Sequence, residues 1–261
     1  VDGNRSAFVQ LSDWISAMSD EMSSLKNGST VRNLPPLPSS TSPTLRELDE
    51  LWLRMDGNTQ SILERESMVL ELAAASNSFI DAIPGIQELT DKAIRELTRN
   101  GASTQQVFVA GRQLVLSDRI LRHLKEMLRG GSGSVTAADS LKQEIGYFEQ
   151  TMNALLFGSR SVGVEQVTVN GARDALTRAQ TIYESVKPQL EIILTSTSDI
   201  LAVRGAADEI FADSLSMFVL SRQVANEILA RTQSRRWPSL WSGSLALIVI
   251  LISIAMMVRS F

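Results

Sequence analysis

Two arginines seven positions apart, Arg112 and Arg119, are the side chains whose type and spacing best suit ligand binding. On an α-helix this spacing places both side chains on nearly the same face, and a guanidinium can hold an anion through two parallel hydrogen bonds. The same spacing is typical of a solvated helix surface, where the two would pair with nearby Asp118 and Glu126. Both interpretations, an anion-binding pair and a surface ion-pair cluster, stay open at this point.

The composition excludes several other kinds of functional site. The chain has no cysteine, which excludes disulfides, thiolate nucleophiles and cysteine-ligated metals. His123 is the single histidine, so multi-histidine metal sites are excluded, and the leucines around it indicate a residue on a helix face. The formal net charge of −4 argues against nucleic acid as a partner, because phosphate binding needs a clustered basic surface. We expect no metal, no cofactor and no enzymatic activity.

Helices are the elements that must position these side chains. Apolar residues recur at spacings of three and four, and strand patterns are nearly absent. The pattern predicts an all-α fold of elongated tandem helical-bundle modules, followed by a C-terminal transmembrane helix. The predicted extramembrane helices span about 4–26, 43–82, 85–99, 103–129, 135–157, 165–200 and 203–234.

Apolar seams with a coiled-coil-like repeat are predicted to form the core. One seam consists of Ile62, Val69, Leu72, Phe79 and Ile83. A second consists of Ile182, Val186, Leu190, Ile193, Thr197 and Ile200. In the last helix the seam is predicted to continue through Phe211, Leu215, Phe218, Ala225 and Ile228.

Several helix ends can be predicted from local sequence signals. Ser103, followed three residues later by Gln106, matches a capping box at a helix start. Pro43 suits a first helical position, because its missing N–H would have no partner there. Asn100-Gly101 and Gly130-Gly131 are predicted helix stops.

The segment from Trp237 to Val258 contains no charged residue. A helix needs about 20 apolar residues to cross a bilayer, so we predict a transmembrane helix at 237–259; a buried core helix is the alternative. Residues predicted to lie in the bilayer include Leu240, Leu245, Ile250, Ile254 and Val258. The chain is interpreted as a piece of a longer membrane protein.

The sequence also repeats itself. Residues 11–29 align with 116–134 at a shift of 105, with identities at eight positions, and 60–85 align with 180–205 at a shift of 120, with ten. Because a helical pair cannot bury its apolar face alone, each copy should complete a bundle with other helices. We predict a first helical sensor module at 1–100 and a second at 101–236, which can share helices.

The segment 99–121, RNGASTQQVFVAGRQLVLSDRIL, resembles the signature of a known sensor family. The pattern consists of Ala110-Gly111-Arg112-Gln113, then Leu116-Ser117 and Arg119-Ile120. It is similar to the sensor domain of PilJ-type methyl-accepting chemotaxis receptors of type IV pilus twitching motility. The segment 203–211, VRGAADEIF, carries the same resemblance, which extends over residues 5–258.

The resemblance implies a non-enzymatic receptor of the bacterial inner membrane, with its body in the periplasm. It implies control of twitching motility and surface sensing through a cytoplasmic adaptor and histidine kinase, which a part outside this chain would contact. It also implies a homodimer and type IV pilin as a partner. The first copy departs from the pattern, since Trp14 replaces Arg119, and Ser6-Ala7 replaces Gly111-Arg112.

Two other functions would fit a helical sensor-like body. A sensor histidine kinase of the nitrate-sensing type carries a similar periplasmic domain, and its kinase would also lie outside this chain. A passive membrane tether of the pilus machine would show no conformational response.

Overall fold

A computed structural model describes residues 5–28, 43–131 and 133–233. These ranges form α1 (Arg5–Asn27), α2 (Pro43–Leu63), α3 (Glu66–Arg99), α4 (Thr104–Arg129), α5 (Ser134–Phe157), α6 (Asn170–Thr195) and α7 (Thr197–Gln233). Within them no β-strand occurs, and the one extended pairing is an isolated antiparallel bridge between Ser159 and Val164. The predicted all-α fold is therefore confirmed.

One predicted helix break is wrong. The sequence prediction ended a helix before Pro84, but α3 continues through this residue, and the break falls instead at 64–65. A proline inside a helix removes one hydrogen bond and crowds the preceding turn. Pro84 nevertheless lies on the exposed side, whereas its neighbours Ile83 and Ile86 are buried and anchor the helix on both sides.

The predicted bounds of the last two helices, 165–200 and 203–234, are also wrong. Helix α6 begins at Asn170 rather than 165, because the residues before it belong to an ordered loop. Its end is Thr195, and α7 begins at Thr197. The intervening Ser196 closes α6, since both its N–H and its hydroxyl donate to the carbonyl of Ile192.

The start and end of α4 are confirmed. The Ser103 hydroxyl accepts from the Gln106 N–H at 3.2 Å, and the Gln106 side chain accepts from the Ser103 N–H at 3.3 Å. This reciprocal pair is a capping box. At the other end Gly130 caps the helix with φ 72°, a conformation that glycine adopts without steric cost.

Residues 68–201 form one compact unit. It contains α3 from Met68 onwards, α4, α5, α6 and the first residues of α7, around a common apolar core. The first two predicted seams are largely confirmed, because Leu72, Phe79, Ile83, Val186, Leu190, Ile193 and Ile200 are all buried in this core. Gly85 of α3 faces α6, since a Cβ there would lie in ordinary van der Waals contact, 3.5 Å from Cδ1 of Ile182.

In the second compact unit the described residues are 5–28, 43–67 and 202–233, which contain α1, α2 and most of α7. Lys26 of α1 forms a 2.6 Å ion pair with Asp49 of α2. The order of contacts shows that α2 and α7 run antiparallel. Thr44 bonds Glu227 at 2.6 Å, Arg54 bonds Asp213 at 2.8 Å and Asn58 bonds Glu209 at 2.8 Å.

The predicted seam of the last helix is wrong. Phe211 is 52% exposed and Leu215 is 70% exposed, while the buried positions described beyond Ile200 are Ala206, Ala207, Ile210, Met217 and Val224. Among these, Ile210, Met217 and Val224 repeat every seven residues, one position before Phe211, Phe218 and Ala225. One residue rotates a helix by about 100°, so the periodicity of the prediction was correct and its phase was not.

In the repeat with a shift of 105, equivalent apolar positions are buried in both copies. Leu11 and Met22 on α1 are buried, as are the corresponding Leu116 and Met127 on α4. In the second repeat the helix breaks do not coincide, because 64–65 correspond to positions inside α6. The modules 1–100 and 101–236 are defined by sequence and stay a prediction.

The predicted membrane helix at 237–259, with Leu240, Leu245, Ile250, Ile254 and Val258, lies outside the described residues. Among the helices that are described, none combines the length and apolarity that a membrane crossing requires.

Candidate functional site: an interhelical polar network

A buried amide links α4 to α5 in the unit formed by residues 68–201. Gln113 is 1% exposed, and its Nε2 donates to Oγ1 of Thr151 at 2.6 Å and to the carbonyl of Phe148 at 3.1 Å. The Thr151 hydroxyl in turn donates to the carbonyl of Tyr147 at 2.6 Å. Because burying an unpaired N–H donor is costly, these bonds of Nε2 favour one register of α4 against α5.

A second polar contact links α4 to α3. Ser117, one turn after Gln113, is 1% exposed, and its hydroxyl donates to the carbonyl of Leu114 at 2.9 Å. The Gln87 amide of α3 donates to the same hydroxyl at 3.2 Å. The buried side of α4 therefore carries two polar residues among apolar ones, each directed at a different neighbouring helix.

A third contact links α5 to α6 through a carboxylate. Oε1 of Glu149 accepts from the Tyr183 hydroxyl at 2.7 Å and lies 2.9 Å from Nζ of Lys187. Partial burial raises the pKa of Glu149, but the hydrogen bonds from Lys187 and Tyr183 outweigh it, so the pKa lies below the usual range. Burial and the bond to Glu149 raise the pKa of Tyr183, and the same carboxylate raises that of Lys187.

The loop between α5 and α6 is ordered by its own hydrogen bonds. Ser159 and Val164 exchange backbone bonds of 2.7 and 3.0 Å, and the Val167 N–H donates to the carbonyl of Leu155 at 2.8 Å. The side chains of the loop residues Val164 and Val167 are buried. The loop is thus a fixed part of the bundle end.

Two long side chains fasten this loop to the helices. Nη1 of Arg173 donates to the carbonyls of Leu156 and Val167 at 2.9 and 3.2 Å. Nε2 of Gln106 donates to the carbonyls of Glu165 and Gln166 at 3.1 and 3.2 Å. The start of α4, the end of α5 and the start of α6 are therefore held together.

The two arginines singled out from the sequence lie outside this network. Arg119 is half exposed, and its Nη1 lies 3.3 Å from Oε1 of Glu144 on α5. The expected partners Asp118 and Glu126 are thus replaced by a carboxylate of the next helix. Arg112 is exposed and forms no ion pair with the described part of the chain. The anion-binding role of this pair stays a prediction.

His123 lies half-buried on α4, with Nδ1 3.9 Å from Oε2 of Glu126. Across the described ranges, no three or more histidine, aspartate and glutamate side chains are grouped so as to hold a metal ion.

Most residues of the network were missed from the sequence. The signature segment named Gln113 and Ser117 only as part of a resemblance, and Thr151, Glu149 and Tyr183 were not singled out. A polar residue at a core position of an apolar repeat was the available signal for Gln113 and Ser117, because they occupy the same face as Leu116 and Ile120. No comparable signal identified Glu149, whose partners lie 34 and 38 residues away.

Known proteins are similar in sequence to this part of the chain. Residues 97–210 match the family model described as the N-terminal part of the type IV pili methyl-accepting chemotaxis transducer, PilJ. The match covers α4, α5 and α6, and with them the contacts of Gln113, Glu149 and the ordered loop.

Two curated relatives are similar over longer stretches. Protein PilJ of Pseudomonas aeruginosa is 31% identical over 260 residues, which cover 98% of this chain and 38% of that protein. A proposed methyl-accepting chemotaxis protein, AlkN, of Alcanivorax borkumensis is 31% identical over 208 residues, which cover 79% of this chain and 31% of that protein. The chain thus spans less than two fifths of the length of these relatives. It carries the N-terminal domain of the PilJ-type family, the type IV pili methyl-accepting chemotaxis transducers.

Proposed function

We propose that this chain is the periplasmic sensor region of a transmembrane chemoreceptor that controls type IV pilus twitching motility and surface sensing. The observation that carries the proposal is the family match over residues 97–210, supported by similarity to Protein PilJ along 98% of the chain. In this proposal the receptor is not an enzyme and acts on a cytoplasmic histidine kinase through regions outside this chain.

The polar network suits a sensor because it favours discrete helix arrangements. Packed helices switch between alternative registers rather than deforming continuously. Gln113 holds α4 against α5, and Glu149 holds α5 against α6. A displacement of α4 against α5 would strain the first contact, and a movement of α5 that followed it would strain the second. We propose that a stimulus on the outer face of this unit acts by changing the position of α4 relative to α5.

In this proposal the output leaves through α7. Only Ser196 separates α6 from α7, so movement of the α6 end reaches the start of α7 across one non-helical residue. Helix α7 contains 37 residues and therefore extends about 55 Å at about 1.5 Å per residue. A helix of this length can carry a small axial or rotational displacement towards the predicted membrane segment.

A gene deletion tests the proposed function. In the organism that carries this gene, we expect the deletion to abolish twitching zones at the agar surface and the intact gene to restore them. Receptor protein level, measured by immunoblot, controls for expression. Twitching that is unchanged in the deletion strain would overturn the proposal.

Complementation with the Thr151→Val gene distinguishes a sensor from a passive tether. This change removes the hydroxyl that accepts from Gln113 while retaining side-chain volume. We expect twitching to be altered at a normal receptor level. A tether requires only a folded body, so wild-type twitching with this variant would favour the tether.

A further inference from the structure

The outer face of α4 carries a regular row of exposed side chains. Counted along the helix, the spacings are four, three, four and three residues, and the members are Phe108, Arg112, Val115, Arg119 and Arg122. We call this row the α4 outer seam. Phe108 is 63% exposed and Val115 is 51% exposed, and the three arginines are also exposed.

The spacing of the seam is that of a helix-packing surface. An alternation of three and four residues keeps side chains on one stripe that a second helix can follow. From Phe108 to Arg122 the stripe is about 21 Å long, at about 1.5 Å per residue. The core of the unit occupies the opposite face of α4, where Val109, Gln113 and Leu116 are buried.

The residue types of the seam are those that stabilise protein interfaces. Arginine and large aromatic residues are enriched among the side chains that contribute most to binding. Tyr147 of α5, which is 41% exposed, lies one turn from Glu144, the partner of Arg119.

The charge of the seam determines which partner fits. Arg112 and Arg122 form no ion pair with the described part of the chain, whereas Arg119 shares its charge with Glu144. If the seam met its own copy, a parallel pairing would place each arginine against itself. An antiparallel pairing centred between Val115 and Leu116 would place Arg112 against Arg119, so like charges oppose the parallel arrangement and this antiparallel register.

We propose that the α4 outer seam docks an amphipathic helix of a partner protein that presents carboxylates beside its apolar positions. The apolar side chains of the partner would cover Phe108 and Val115, and its carboxylates would pair with Arg112 and Arg122. This inference does not depend on the pilus function, because it rests on the exposure, spacing and charge of α4.

A designed peptide tests the proposal. The probe is a stapled helix of three heptads, with leucine at positions a and d and glutamate at e and g, labelled with fluorescein. Binding to the full 261-residue chain in mild detergent is followed by anisotropy. We expect at least tenfold weaker binding by the double variant Arg112→Glu with Arg122→Glu. The double variant Lys142→Glu with Arg178→Glu, which changes exposed cations on α5 and α6 by the same charge, should bind normally.

A peptide with lysine in place of glutamate should reverse the order, binding the Arg112→Glu/Arg122→Glu chain more tightly than the wild type. Circular dichroism melting verifies that each variant is folded, and Arg112→Gln with Arg122→Gln provides a second, milder pair. Absence of binding, equal binding of both peptides, or equal weakening by the control variant would overturn the proposal.

Two other occupants are separate outcomes of the same experiment. If the seam variants lose co-sedimentation with phosphatidylglycerol vesicles while peptide binding is unchanged, the seam contacts lipid. If a Val115→Cys chain forms a disulfide-linked dimer faster than an Arg178→Cys chain, the seam meets a second copy. Either result would overturn the assignment to an acidic partner helix.

Discussion

The hydroxyl of Tyr183 on α6 lies 2.7 Å from Oε1 of Glu149 on α5. The ring of the same tyrosine lies 5.0 Å from the ring of Phe148, with 44° between the ring planes. Two successive residues of α5 therefore fix one side chain of α6, one by a charge-assisted hydrogen bond and the other by ring packing. Rotation of α5 relative to α6 would disrupt both contacts together.

The Glu149 contact predicts a pH-dependent stability. Its folded pKa is lowered, so its contribution is present above the unfolded pKa of about 4.3 and is lost as the pH falls through the lower folded value. Because the carboxylate is about one third exposed, we expect Glu149→Gln to destabilise the protein by about 1 kcal/mol at neutral pH. The check is urea unfolding from pH 3 to 8, in which the difference between the two proteins should be constant above about pH 5 and should shrink as the pH falls below the unfolded pKa of about 4.3.

Glu184→Gln, at an exposed neighbouring position of α6, is the control for this experiment and should show little difference from the wild type. A stability difference for Glu149→Gln that stays constant down to pH 3 would contradict an ionised Glu149 as the source.

The Gln113–Thr151 contact predicts an energetic coupling between α4 and α5. Gln113→Leu and Thr151→Val should each destabilise the protein, and the double variant should lose less than the sum, with a coupling of about 1 kcal/mol. Urea denaturation of the four proteins measures it. Thr90→Val provides a reference, because the Thr90 hydroxyl bonds the Ile86 carbonyl of its own helix. The destabilisation by Thr90→Val should add to that by Gln113→Leu. If the coupling energy of this pair equalled that of Gln113→Leu with Thr151→Val, the contact between Gln113 and Thr151 would not be specific.

In the loop after α5, we predict that Gly158 cannot be replaced by alanine without loss of stability. Gly158 has φ 80°, and a Cβ there would lie 3.3 Å from the backbone nitrogen of Gln166. Gly158→Ala should therefore destabilise the protein by about 1–3 kcal/mol. Gly146→Ala in the middle of α5 has free space around the new Cβ and should stabilise by about 0.5–1 kcal/mol. Thermal melting compares the two, and equal effects would mean that the conformation of Gly158 carries no cost.

The proposed periplasmic location predicts the accessibility of two lysines. Lys92 on α3 and Lys142 on α5 are both exposed. A membrane-impermeant amine reagent added to intact spheroplasts should modify both, as mass spectrometry of the isolated receptor would show. If both were modified only after lysis, the body would lie on the cytoplasmic side.

The helices could be predicted from the sequence because their apolar repeats and caps are local signals. The Ser103–Gln106 box and the buried stripe through Phe79 and Ile83 are examples. The phase of the α7 seam could not be predicted from the sequence. Phe211 and Ile210 are equally apolar, and only the neighbouring helices decide which of them is buried. Pro84 misled the prediction because local propensity is overridden when tertiary packing holds a helix.

The candidate site was less predictable, for a related reason. One of the two interpretations of Arg119 was an ion pair within its own helix, but its partner Glu144 lies 25 residues away on α5. Long-range pairs of this kind depend on how α4 and α5 align, and the periodicity of either helix alone does not specify it. The family resemblance of segment 99–121 included Gln113, whereas its contacts with α5 could be identified only from the structure.

If α7 transmits a mechanical signal from the sensor body, as we propose, an insertion after Gln233 should show whether a continuous helix is needed. A short Gly-Ser segment would interrupt the helix, whereas a seven-residue helical insertion of Ala, Glu and Lys would lengthen it and nearly preserve its facing. We predict that the Gly-Ser receptor loses control of twitching while limited proteolysis shows a folded body, and that the helical insertion retains it. Normal twitching control by the folded Gly-Ser receptor would contradict the account.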